Sequence, residues 1–365
     1  MSEIKYEKVK KNLIDKIESG IYKVGEKLPT ESELMKTYQV SRYTIRRAAG
    51  ELENKHYIYR IQGGGMYVDD WKKAKSKRVV DTKMIGIVTT HLADYIFPRI
   101  ISGIDRVLSQ NGYSLILSNT HNNPQEERKA LKRMLDNNVA GLIIEPTQSA
   151  LPNKNLDLYR RIQENGIPAL LINSHTSDPI DMPYLEVDDL LAEEQITNYL
   201  IGLGHKKILG MFQVDDMQGV NRLKGYLNAY MQHPTISYLS QSIMYQSTED
   251  MDPIFQKAIM ALQGPDRPTA IVCYNDELAI RMMNIVKSLD LKIPEDISIV
   301  GFDNYILGKY ITPRLTTVDH PKERMGVDAA NMIIKMINGE AVESKQYKLN
   351  LIKNNSVIKN VMVKN

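Results

Sequence analysis

A single cysteine, Cys273, stands among 365 residues. One thiol excludes an intrachain disulfide framework and fits a reducing, cytoplasmic setting. No apolar run of about eighteen residues occurs, so no membrane span is expected. The opening stretch MSEIKYEKVKKNLIDKIESG is charged and amphipathic. It has neither an apolar core segment nor a small-residue cleavage site, so no signal peptide is expected. The seven histidines are scattered, without His-x3-His or HExxH spacing, and no metal is expected. The glycine triplet at 63–65 is not followed by the Lys-Ser/Thr of a phosphate loop, and GLGH at 202–205 reads as a helix cap leading into a strand. With no dinucleotide fingerprint and no acid, base or metal constellation, neither an enzyme nor a cofactor is expected.

What is present is unevenly distributed. The net charge of +3 divides into about 19 basic against about 12 acidic residues in 1–83, and about 28 against about 32 in the remainder. A basic front end on a mildly acidic body points to a polyanionic partner for the front end alone. The length itself predicts two or three domains.

Residues 5–20 place Tyr6, Val9, Leu13, Ile14 and Ile17 at helical spacing, closed by Gly20. Thr30 with Glu33 three positions on is a capping-box pattern and opens a short helix to about Tyr38. Ser41 caps a third helix, to about Asn54, that turns Val40, Ile45, Ala48, Ala49 and Leu52 inward. Arg42 and Arg46 lie four apart and share its outer face, flanked by Tyr43 and Thr44, with Arg47 the third arginine of the set. Arginine grips guanine O6 and N7 with two parallel bonds, or a phosphate as a fork. YIYRIQ, the glycines and MYV then form a hairpin. Three helices followed by a hairpin make a winged helix-turn-helix over 1–68. The charge-dense 69–83 reads as a linker.

From Met84 the rhythm becomes βαβ. The runs MIGIVTT, SLILSNT, AGLIIEPT and IPALLINS alternate with helices, and the alternation restarts after about residue 189 with KKILGMF, TAIVCYN and ISIVGFD. Two doubly wound parallel-sheet units imply two lobes within 84–365. The first takes about 84–188 and 319–340, the second about 189–318 and 345–363. Ligands in such sheets sit beyond the carboxyl ends of the strands. Those positions hold Tyr95 and Phe97 after the first strand, Glu145 after the third, and Asn173 and His175 after the fourth. Asp216 precedes the helix carrying Arg222, Asn275 and Asp303 end two further strands, and His320 follows LTTVD. Carboxylates, amides and an arginine beside an aromatic wall suit a polyhydroxylated ligand. Asp303 and Asn275 have helix capping as their alternative role, Glu145 an ion pair, and Tyr95 and Phe97 the core.

The stretch KLPTESELMKTYQVSRYTIRRAAGELENKHYIYRIQGGGMYV resembles the DNA-binding domain of GntR-type regulators. The resemblance implies that Arg42, Thr44 and Arg46 read or hold an operator, and that Gln62, Gly63 and Gly64 form a wing tip at the minor groove. Ser32 departs from the arginine that many relatives place there, which removes or relocates one backbone contact. YLEVDDLLAEEQITNYLIGLGHKKILGMF and IPEDISIVGFDN resemble the effector region of the lactose-repressor family, whose fold is that of periplasmic sugar-binding proteins. There the resemblance points to Arg222, Asn275 and Asp303 first, then to Asn173 and His320. The two resemblances together imply a homodimeric repressor of pentose-utilisation genes. It would bind double-stranded operator DNA and be released by L-arabinose in the interlobe cleft. The dimer seam is expected on the helices after Pro98 and Pro124. A different sugar or a nucleoside is the alternative effector.

Overall fold

The computed structural model describes residues 5–54, 56–61, 64–70, 82–93, 95–176, 178 and 180–360. The chain divides into two compact units, Met1–Asp81 and Thr82–Asn365.

The first unit holds α1 (Lys5–Glu18), α2 (Glu31–Tyr38), α3 (Arg42–Asn54) and an antiparallel hairpin, β1 (Ile58–Ile61) with β2 (Gly65–Val68). The capping box closes as its spacing requires: the Glu33 amide donates to Thr30 Oγ1, and the Thr30 amide to Glu33 Oε2. Gln39 takes a left-handed φ of 50°, which ends α2 and lets the chain turn into α3. Ile45, Ala48, Ala49 and Leu52 are buried with Val9, Leu13, Ile17 and Leu34 in one core. Their helical spacing leaves the arginine positions outside. Of the expected linker, residues 71–81 lie outside the described residues.

The second unit carries two parallel sheets. The first runs in the order β13 (Lys345–Tyr347), β7 (Tyr184–Val187), β6 (Ala169–Asn173), β5 (Gly141–Ile144), β3 (Met84–Thr89), β4 (Ser114–Asn119). Its central strands are apolar on both faces. Ile87, Ile143 and Leu170 enter one core, while Val88, Leu142 and Leu171 enter another. The helices α4 (Phe97–Gln110), α5 (Pro124–Asp136), α6 (Leu156–Glu164) and α11 (Lys322–Ile337) belong to this lobe.

The second sheet runs β11 (Ser298–Val300), β10 (Ala270–Cys273), β8 (Ile208–Gln213), β9 (Gln241–Tyr245). It packs with α7 (Asp189–Gly202), α8 (Met217–Met231), α9 (Met251–Gln263) and α10 (Asp276–Ser288). The apolar-run reading passes over β9. It is an edge strand with an exposed Met244, so its burial signal is weak.

One boundary needs correcting. Residues 345–347, assigned by sequence to the second lobe, form β13 and pair in parallel with β7 of the first sheet. The chain then returns to the second lobe through β14 (Leu351–Ile352), antiparallel to β12 (Thr317–Val318), and Ile299 donates its amide to the Ser356 carbonyl. Each sheet reverses its winding beside its first strand, β3 against β5 and β8 against β10. These switch points leave the crevices in which α/β proteins hold ligands.

Candidate functional site

A cavity of about 270 Å³ opens at those crevices. Tyr95, Phe97, Glu145, Asn173, Asp216, Arg222, Asn275 and Asp303 all line it. Eight of the ten strand-end candidates therefore converge, although they come from six separate stretches of chain.

Arg222 organises the second-lobe wall. α8 buries its side chain, whose Nε donates to Asp189 Oδ1 at 2.8 Å and whose Nη1 donates to the Tyr274 carbonyl. Nη2 lies 3.6 Å from Asp303 Oδ1, and the guanidinium stacks 3.6 Å over the Phe302 ring. Burial works against the charge, but the carboxylates of Asp189 and Asp303 outweigh it and hold the guanidinium above its ordinary pKa. Burial pushes the Asp216 carboxyl up to about 6, against the bonds it accepts. Those bonds come from the Gly219 amide, Gln213 Nε2 and the Tyr274 hydroxyl.

Glu145 anchors the first-lobe wall. Its Oε2 accepts from Thr89 Oγ1, the Thr90 amide and Thr90 Oγ1, and its Oε1 from Asn173 Nδ2 at 2.8 Å. Among the described residues it makes no ion pair. Two buried acceptors on this lining have no hydrogen-bond donor among the described residues, Asn173 Oδ1 and Asp303 Oδ1. Tyr95, Asn173 and Asp303 all hold left-handed φ values, 58°, 64° and 96°. Side chains rarely adopt this region, and it is concentrated where function fixes the backbone.

Asn275 does take its alternative role in part. Its Oδ1 caps α10 by accepting from the Leu278 amide, which leaves its Nδ2 for the cavity. Phe97 is both core and wall.

Two candidates are not in the lining. His175 turns to Glu186, with Nδ1 and Oε2 2.8 Å apart, and stacks on Tyr184 at 4.8 Å. His320 is buried outside the lining, and among the described residues both its ring nitrogens lack a hydrogen-bond partner. Thr90, Gln213 and Tyr274 join the lining by the same strand-end rule. Asp189 carried no sequence signal, because its partner Arg222 is 33 positions away. Cys273 is buried, and burial pushes its thiol pKa up, so it is a poor nucleophile.

In the first unit, Arg42 and Arg46 both project from α3 into solvent and share one counter-ion. Arg46 Nε is 3.1 Å and Arg42 Nε 3.9 Å from Glu31 Oε2, at the start of α2. Arg47 is exposed as well. Its position on the helix turns its guanidinium onto the Tyr6 ring of α1, 4.0 Å from the centroid. Thr44 Oγ1 lies 2.9 Å from Ser41 Oγ, beside the cap. Gly64 makes the hairpin turn, its amide bonded to the Ile61 carbonyl, and an added Cβ there would come within 2.8 Å of the Ile61 side chain. Gln62 and Gly63 lie outside the described residues. Among the described residues no helix is long and apolar enough to cross a membrane.

Residues 5–68 match the model of the bacterial regulatory proteins of the gntR family, and residues 197–357 that of the periplasmic binding protein-like domain. The arabinose metabolism transcriptional repressor of Geobacillus stearothermophilus is 42% identical over 93% of both chains. That of Halalkalibacterium halodurans is 39% identical over 93% of this chain and 90% of its own. Among solved structures, a periplasmic binding protein/LacI transcriptional regulator from Alkaliphilus metalliredigens, complexed with D-xylulofuranose, superposes with a TM-score of 0.65. It is 24% identical and covers 76% of this chain and 99% of its own. A DNA-binding head on a two-lobed ligand-binding fold, with relatives this similar along nearly the whole chain, places the protein in the family of arabinose metabolism transcriptional repressors.

Proposed function

We propose that the chain binds operator DNA as a homodimer through α3 and the β1–β2 hairpin, and that L-arabinose in the 270 Å³ cavity releases it. The observation that carries the effector reading is the pair of buried acceptors without a hydrogen-bond donor among the described residues, Asn173 Oδ1 and Asp303 Oδ1, the second beside the Arg222 guanidinium in an ion pair of 3.6 Å. A buried acceptor without a donor costs about 1–3 kcal/mol. Sugar hydroxyls supply donors to both acceptors, and their oxygens accept from Arg222 and from Asn275 Nδ2. Phe97, Ile96 and Pro146 offer the apolar wall for the C–H face of a ring. The relatives' names favour arabinose over other pentoses, hexoses and nucleosides.

Calorimetric titration of the full chain with a panel of sugars tests the reading. L-arabinose should bind saturably and more tightly than its epimers. Arg222→Ala and Asp303→Asn should each abolish binding while the protein still shifts operator DNA, leaving a repressor that cannot be induced. Breaking a buried charge pair costs about 3–5 kcal/mol, so retained operator binding is also the check that both variants fold. Normal sugar binding by either variant would mean that the effector sits elsewhere.

A further inference from the structure

We propose that a second cavity, where the chain crosses between the lobes, binds a small phosphate-bearing molecule. It has a volume of about 210 Å³ and is lined by residues including Arg99, Lys309, His320, Lys322 and Arg324. Four basic side chains face it against two carboxylates, Asp319 and Glu323, and both of these are already engaged. Asp319 accepts from Asn304 Nδ2 at 2.8 Å, and Glu323 pairs with Arg106 at 2.6 Å. Arg324 leans toward Asp328, and Lys322 Nζ donates to the carbonyls of Asp303 and His320. Arg99 and Lys309 are exposed and make no ion pair among the described residues.

Two independent features turn this basic hollow into a site. The first is the N-terminus of α11, a sixteen-residue helix whose N-cap, Pro321, makes no side-chain bond. Its first-turn amides and the positive end of its dipole face an anion. The second is His320, which is 2% exposed, lines the cavity and, among the described residues, has no hydrogen-bond partner on either ring nitrogen. A neutral imidazole carries one N–H donor, and a phosphate oxygen is the acceptor that an anion in this hollow brings to it.

The framework is rigid. α4 and α11 cross so closely that a Cβ on Gly103 would lie 2.5 Å from the Glu323 carbonyl, and one on Gly326 2.1 Å from that of Ile100. That crossing sets Arg99, on the first turn of α4, beside the start of α11 in advance of any ligand. Lys322 joins the two cavities. It lines the second and donates to the backbone carbonyl of Asp303, whose carboxylate lines the first. An anion drawing on Lys322 therefore changes the support beneath Asp303 and the affinity of the first cavity. This coupling rests on the effector reading above; phosphate binding itself does not.

The test is calorimetry on the full chain, in phosphate-free buffer at fixed ionic strength, with inorganic phosphate, glucose 6-phosphate and glucose as probes. The phosphate group should bind saturably, with a Kd near or below about 1 mM, equivalent to about 4 kcal/mol, and glucose should give no response at that concentration. A tighter glucose 6-phosphate identifies the ligand as an ester, and an equal affinity identifies it as the free anion. Arg99→Ala with Lys309→Ala, both on the surface, should weaken binding at least tenfold and leave L-arabinose affinity in phosphate-free buffer unchanged. Saturating phosphate should shift the L-arabinose Kd of the unaltered protein several-fold and that of the double variant not at all. No saturable phosphate heat, or equal phosphate affinity in the double variant, overturns the site whatever the sugar does. Saturable phosphate binding with an unmoved L-arabinose Kd overturns only the coupling.

Discussion

The hydroxyl of Tyr95, on the first lobe, donates a 2.6 Å hydrogen bond to Asp303 Oδ2, on the second, across 208 positions of sequence. The same hydroxyl lies 3.0 Å from the Phe302 carbonyl and accepts from the Asp276 amide. Asn122 Nδ2 to Ser247 Oγ and the Met217 amide to Ser149 Oγ add two further bonds between the lobes. Burial raises the Tyr95 phenol well above its ordinary pKa, and neighbouring Asp303 and Asp276 raise it further, so it remains a donor. The lobes are thus joined through a carboxylate of a residue that also lines the first cavity.

Tyr95→Phe keeps the aromatic wall and removes the hydroxyl, and with it the bond to Asp303 Oδ2 and the one accepted from the Asp276 amide. A hydrogen bond to a charged acceptor contributes about 1.5–3 kcal/mol. The variant should bind L-arabinose about tenfold more weakly by calorimetry, equivalent to about 1.4 kcal/mol. Its operator affinity without sugar should be unchanged. Undiminished sugar affinity would detach the interlobe bond from effector binding.

On the DNA side, Arg46 and Arg47 are neighbours with different surroundings. Arg46 points outward and pairs with Glu31, whereas Arg47 packs on Tyr6. Arg46→Ala should cost about 1–3 kcal/mol on a specific operator, the worth of a bidentate base contact. Arg47→Ala should act mainly on the stability of the head, through the lost contact with Tyr6, and change operator affinity less. Gel shifts at fixed salt with specific and scrambled duplexes separate the two effects, because a lost phosphate contact weakens both duplexes alike.

Local rules carried far in this sequence. Thr30 and Glu33 announced their cap, and the alternation of apolar runs with helices announced both sheets. The strand-end rule located most of the cavity because topology, rather than side-chain detail, sets where a parallel sheet leaves its crevice. What escaped depends on non-local partners. Residues 345–347 join the first sheet only because β7 offers a free edge 160 residues earlier. Asp189 matters only through Arg222. His175 meets the strand-end rule, yet Glu186 on the adjoining strand draws its ring aside. The contact of Arg47 with Tyr6 crosses from α3 to α1, although the residue itself fits the exposed basic face.

His320 gives the protein a specific acid sensitivity. Burial lowers its pKa from 6.5 to about 4, against the pull of Asp303. The folded protein resists protonating this ring while the unfolded chain does not. Its contribution to stability is therefore complete above about pH 6.5 and is lost as the pH falls toward 4, for a total of about 3 kcal/mol. Asp216, with its raised pKa, acts in the opposite direction, because its protonation favours the fold. The comparison must therefore be made between variants. Calorimetric melting of the unaltered chain and of His320→Gln at pH 7 and pH 4.5 should show a smaller loss of Tm on acidification in the variant. Equal losses would place the proton uptake on other groups.

A sugar that releases a repressor must bind one arrangement of the lobes better than another, or it shifts nothing. The first cavity belongs to the second unit and the outward arginines of α3 to the first; on the function proposed above, coupling between effector and operator passes through lobe arrangement and dimer geometry. Half-sites on duplex DNA demand a fixed spacing, roughly 34–36 Å per helical turn, so a modest change between two heads loses one of the two contacts. The coupling free energy should be about 1–3 kcal/mol, and linkage makes it reciprocal. Saturating L-arabinose should lower operator affinity by about 5- to 150-fold, and saturating operator should lower L-arabinose affinity by the same factor. Tyr95→Phe should shrink both factors equally, because the bond it deletes joins the lobes that the sugar must rearrange. The measurement is a pair of titrations, operator with and without sugar and sugar with and without operator, in the same buffer. Operator affinity untouched by L-arabinose would return the effector to another sugar, and unequal factors would show that the two ligands compete through something other than a shared two-state equilibrium.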